Sequence, residues 1–111
     1  MDSKNGINID FINKRVAELI EKKGVSNHQM SRDLGHSKSY IQNISSGRAL
    51  PSVTELFAIC RYFEIDITEF FNVELKNPML INEIVDRIRS YDDKKLKTII
   101  GILDMLESKE A

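Results

Sequence analysis

Residues 26–47 read SNHQMSRDLGHSKSYIQNISSG, and the reading of this stretch decides the fold. Ser26 has Gln29 three residues on, the spacing with which an N-cap oxygen and a later side chain satisfy unpaired backbone donors. The pattern predicts two short helices, over 27–34 and 38–45, joined by a glycine-containing turn and stopping near Gly47. On a helical wheel, Ile41, Ile44 and Tyr40 fall on one side of the second helix. Lys38, Ser39, Gln42, Asn43 and Ser46 fall on the other.

An ordinary solvated helix carries Glu/Lys pairs on its wet face. Here the outward groups are mostly amides and hydroxyls, which donate and accept at base edges. A helix this short is not stable alone, so its neighbours must hold it in place. Its N-terminal end, with Ser37 and Ser39, offers backbone N–H groups and a positive dipole end to a phosphate. The combination implies a helix shaped to enter a groove of DNA.

The flanking sequence is helical as well, with no sustained strand-like alternation. A helix over 10–23 has Phe11, Ile12, Val16, Leu19 and Ile20 on its inner face and Gly24 at its end. Ser52 with Glu55 opens a helix over 53–63, whose inner face reads Val53, Leu56, Phe57, Cys60 and Phe63. Asp66 with Glu69, a looser match to the same box, opens a short one over 67–71. Asn77-Pro78 places a cap before a proline at the first helical position and starts a helix over 78–89. A last one, over 91–109, follows Ser90 and Asp93. The chain thus divides into a flexible tail at 1–9, a five-helix domain at 10–75 and a two-helix segment at 76–111, all α.

At 111 residues, with 41% apolar and 30% charged side chains, the chain suits one soluble core with a small appendage and argues against disorder. No apolar run approaches the roughly 18 residues of a membrane span, and MDSKNGINID lacks a signal-peptide core. A single cysteine is compatible with a reducing cytoplasm. Net charge is −1, but its distribution is uneven. Residues 24–50 hold Arg32, Lys38 and Arg48 against Asp33, a local +2. Residues 51–75 set Arg61 against Glu55, Glu64, Asp66, Glu69 and Glu74, a local −4. Basicity is concentrated, modestly, around the turn.

Residues 11–71 resemble the Xre/Cro type of lambda-repressor-like DNA-binding domain. The resemblance rests on KKGVSNHQMSRDLG, SKSYIQNISSGRALPS and VTELFAICRYFEIDITEFF, taken in order and at their spacing. It implies that Asn27, first in the second helix, clamps a phosphate. It implies that Lys38, Ser39, Gln42 and Asn43 read bases, and that Tyr40, Ser46 and Arg48 contact the backbone at the groove edge. The chain departs from the family where Ser45 stands for a common Glu, Glu64 for a common Gly, and His36 for a small apolar turn residue.

Other residues carry no separate chemistry. Cys60 reads as a buried, inert thiol. His28 and His36 have no partners completing a metal site, no nucleophile sits in a catalytic context, and no cofactor is implied. In the last two helices Leu80, Ile81, Ile84, Val85 and Ile88, then Leu96, Ile99, Ile100, Leu103 and Leu106, form apolar stripes. They either pack back on their own domain or, the sharper reading, pair with a symmetry mate. Two-fold pairing would present two reading helices to half-sites about one DNA turn apart. The expectation is a dimeric, non-enzymatic, sequence-specific regulator that occupies a double-stranded operator as a repressor. The rival is a protein-interaction module, an antitoxin or an adaptor, working through the C-terminal helices on a toxin or an anti-repressor.

Overall fold

The computed structural model describes residues 8–110, among which there are seven helices and no strand. The helices are α1 Ile9–Lys23, α2 Asn27–Asp33, α3 Tyr40–Ser45, α4 Val53–Tyr62, α5 Ile67–Phe71, α6 Pro78–Ile88 and α7 Asp93–Glu110. The tail expected at 1–9 lies outside the described residues as far as residue 7. Asn8 is already the cap of α1, accepting from Phe11 N. The helix expected over 38–45 starts only at Tyr40, because Lys38 and Ser39 belong to the preceding turn. No described helix is long and apolar enough to cross a membrane.

Local chemistry accounts for most helix ends. Ser52 with Glu55 and Asp66 with Glu69 both form complete capping boxes. Ser26 makes only half of one: it accepts from Gln29 N, while the Gln29 side chain turns forward to Asp33 at 2.6 Å. Asn77 Oδ1 accepts from Leu80 N at the start of α6. Asp92, not Ser90, caps α7 by accepting from Lys95 N. Past α4, Glu64 adopts φ 58°, the left-handed conformation that favours glycine. It holds that shape because Ile65 N reaches back to Cys60 O at 3.1 Å and closes the end of the helix.

The chain forms two compact units, 1–80 and 81–111. The first packs Val16, Leu19, Ile20, Met30, Ile41, Ile44, Ile59, Cys60, Phe63, Ile65 and Phe70 into one core, with Phe11 and Phe71 ringed around Phe70. Burial lifts the Cys60 thiol to about 11, so it is neutral at ordinary pH. Val53 and Phe57, read as inner-face residues, are instead 72% and 48% exposed. The apolar stripe of α4 is centred on Leu56, Ile59, Cys60 and Phe63, and those two lie off its edge.

Arg15 of α1 is only 3% exposed. Its Nε donates to Phe70 O at 2.7 Å and its Nη2 to Glu69 O at 2.8 Å and Asn72 O at 3.4 Å. These are carbonyls at the end of α5, of which Glu69 O also accepts from Asn72 N and Asn72 O from Leu75 N. A cation there also meets the negative end of the helix dipole. Glu18 takes Nη1 at 2.9 Å.

In the second unit no described side chain between Ile81 and Ser108 is buried. On α6, Leu80, Ile81, Ile84 and Val85 are exposed and Ile88 is half-buried. On α7, Leu96 and Ile99 are half-buried, whereas Ile100, Leu103 and Leu106 are exposed.

Replacing the strained residue after α4 is a direct test of this account. Glu64→Gly is expected to raise the unfolding free energy by about 0.5–1 kcal/mol, relief of the left-handed strain exceeding the added chain entropy. Urea denaturation measures it, and a less stable variant would refute the assignment.

Candidate nucleic-acid interface

The approach of α2 to α3 is set by Ser31. It is wholly buried, and its hydroxyl donates to Asn27 O at 2.8 Å while accepting from Ile41 N at 3.0 Å. The residue before α3, Ser39, makes no side-chain cap bond. A residue ten positions upstream therefore satisfies a donor in the first turn of α3. Gly35, at φ 79°, reverses the chain between the helices, and His36 N returns to Ser31 O at 2.9 Å. Gly47, at φ 88°, ends the segment against Asn13, whose Nδ2 lies 3.4 Å from where a Cβ would stand. Ile41 and Ile44 anchor α3 in the core.

A second tie holds α2 from behind. Tyr62 OH donates to Asp33 Oδ2 at 2.7 Å, and Lys23 Nζ lies 5.2 Å from the centroid of the Tyr62 ring. The bonds from Tyr62 and then Gln29 hold the Asp33 carboxyl below its ordinary value of 3.8. Burial, with the neighbouring carboxylate, pushes the Tyr62 hydroxyl up to about 12.

Facing away from the core is a band of polar groups. Lys38, Ser39 and Gln42 are exposed and Asn43 is half-buried. Ser37, Ser46 and Arg48 are exposed beside them, with Arg48 Nε donating to Ser46 Oγ at 3.2 Å. Asn27 and Tyr40 are half-buried. Asn27 Nδ2 donates to Gln42 Oε1 at 2.8 Å, a link that nothing local in the sequence announces. The Tyr40 ring stacks on His36 with centroids 3.7 Å apart, and its hydroxyl lies near the Glu55 carboxylate. Burial first, then Glu55, raises that hydroxyl to about 12.

A short helix held by its predecessor, with one face in the core and the other lined by donors and acceptors, is the arrangement by which proteins present side chains to a DNA groove. The profile of one family, described as a helix-turn-helix domain, matches residues 13–76, more than half of the chain. The chain belongs to the helix-turn-helix domain family. No curated protein and no solved structure matched it. Within this domain, α2 and α3 are the two short helices joined by the Gly35 turn.

Two substitutions probe how the helix pair is held. Ser31→Ala leaves Ile41 N buried without its partner and is expected to cost about 1–2 kcal/mol, read by urea denaturation. An unchanged midpoint would sink that assignment. The Tyr62–Asp33 tie carries a pH signature. A carboxyl whose folded pKa is depressed contributes stability above its unfolded value, and loses it as pH falls through the folded value. The stability gap between the parent and Tyr62→Phe is therefore expected to narrow as pH is lowered from 7 to below 3.8. A gap that widens would contradict it.

Proposed function

We propose that this chain is a sequence-specific transcriptional regulator of the Xre/Cro type, which acts as a repressor by occupying its operator as a two-fold pair. The observation that carries this reading is α3: a helix fixed in the core by Ile41, Ile44 and the Ser31 bond, with Gln42, Asn43 and the preceding Lys38 and Ser39 outward. In the major groove, amides at Gln42 and Asn43 suit adenine, and the Lys38 ammonium suits guanine. Asn27, Ser37, Tyr40, Ser46 and Arg48 are assigned to phosphates, which set register without reading sequence. The reading needs no cofactor and no catalysis, and it places the protein with DNA in the cytoplasm.

With a net charge of −1, one such head makes few ionic contacts, so the affinity of a lone domain is modest. The rival reading, a protein-interaction module acting as an antitoxin or adaptor, draws on the apolar side chains exposed on α6 and α7.

Selection from a random pool of double-stranded DNA separates the two. The chain is expected to enrich a two-fold related sequence, and Gln42→Ala/Asn43→Ala to weaken binding to it about 10–1000-fold, with non-specific binding retained. Arg48→Ala is expected to lower the slope of log affinity against log salt by about one. No enriched sequence together with a flat salt response would overturn the reading in favour of the interaction module.

A further inference from the structure

We propose that the outer face of α4, with the loop before it, is a docking surface for an amphipathic helix of a partner protein, one whose apolar side chains are bracketed by carboxylates.

The folding of the first unit does not account for this face. Leu50, Val53 and Phe57 are 51%, 72% and 48% exposed, while Leu56, Ile59, Cys60 and Phe63 carry the core side of α4. Val53 opens the helix, where a β-branched side chain adds nothing to helix stability and at this exposure buries little. Phe57 follows one turn later on the same face and leaves half of its surface in water. Leu50 stands three residues ahead of Val53 in the preceding loop.

The charges around this strip are sorted. Residues 51–75 hold one base against five acids, and that base, Arg61, stands one turn beyond Phe57 on the same face. At the other end, Arg48 precedes Leu50 by two residues and is exposed. The side chains beside the line, Thr54 and Ala58, are small. Glu55, the one carboxylate within α4, lies about 160° round the helix from Phe57. It is half-buried and accepts from Ser52 N at 2.9 Å. Apolar and aromatic groups with arginine, and without lysine or carboxylate, make up a recognition surface rather than a solvated helix face.

Size and charge together choose the occupant. The three apolar side chains expose on the order of 300 Å², well under the 800 Å² or so that each partner contributes to a stable dimer. A second copy of the chain seated here would not hold by itself. From Val53 to Arg61 the strip runs about 12 Å, a little over two helical turns. A short helix laid along it would set apolar side chains, spaced by three or four residues, against Leu50, Val53 and Phe57. Carboxylates at its two ends would meet the guanidinium groups of Arg48 and Arg61, which match them in shape and charge. Arg48, given above to a phosphate, is open to a carboxylate when DNA is absent.

The test is a titration of the full chain, without DNA, followed by amide spectra. Two synthetic helical peptides of about fourteen residues share leucines at three- and four-residue steps and differ in carrying glutamates or lysines at both ends. The glutamate-ended peptide is expected to shift amides between residues 48 and 61, and the lysine-ended one to bind about tenfold more weakly. R48E/R61E is expected to reverse that order. V53E/F57E is expected to weaken the glutamate-ended peptide at least about tenfold, with the amides of core residues unchanged. V53E alone, at the most exposed position, replaces the double variant if that loses its fold. Absence of any shift, shifts confined to residues 81–110, or equal binding of the two peptides by the parent would each overturn the proposal. So would an order of affinity that R48E/R61E leaves unchanged. A change of chain mass in V53E/F57E, by sedimentation equilibrium, would give the face to a second copy instead.

Discussion

One hydroxyl governs where α3 lies. A six-residue helix cannot repay its own nucleation, so α3 exists only through what its neighbours supply. Ile41 and Ile44 supply burial, but burial is non-directional and leaves the helix free to slide or rotate. The Ser31 hydroxyl removes that freedom. It accepts from one N–H in the first turn of α3 and donates to Asn27 O on its own helix, in a site with no access to water. An unpaired donor in such a place is more costly than the bond is strong, so alternative positions of α3 are disfavoured by what they would leave unmade. The Asn27–Gln42 amide bond repeats the connection at the surface, where it is weaker and competes with water.

The same logic recurs at the opposite end of the domain. There Arg15 reaches three carbonyls at the end of the five-residue α5 from 54 to 57 residues away, two of which also accept backbone N–H groups. Buried guanidinium is tolerable only when its donors are matched, and here the matching groups are the negative end of a helix plus Glu18. The long α1 thus serves as a strut. Its Asn13 lies against Gly47 just after α3, and its Arg15 ties down α5. Both short helices draw on side chains from elsewhere, α5 in addition to its own capping box at Asp66 and Glu69.

This division explains what could be read from the sequence. Periodicity and caps are local, and they placed α5 at its observed bounds and the other helices within a few residues. Where polar residues formed both turn and helix, as in Ser37–Lys38–Ser39, the wheel gave no boundary and the start of α3 was set too early. At Val53 and Phe57 the spacing was helical and the side chains apolar, but only the position of the core decides which edge of a stripe is covered. Nothing in the sequence marks Ser31 as a double hydrogen-bonding partner. Arg15 carried no signal at all, since nothing near it in sequence marks it as the cap of a helix over fifty residues on. The outward side chains on and before α3 were legible because exposure follows from the wheel once the buried isoleucines are fixed.

The two units place opposite demands on the chain. In the first, one apolar core is covered and the polar surface is sparing in positive charge, with a local excess of only two over residues 24–50. So slight an excess releases few counterions, which limits non-specific attachment along with affinity. In the second, apolar groups stand uncovered. If that surface joins two copies, the second head binds from an effective concentration set by the joint rather than by the solution, and two weak contacts act as one stronger one. The sparing charge then becomes useful. A head that clings weakly to any DNA gains most where both halves of a site fit, so discrimination comes from requiring two correct contacts rather than from the strength of either.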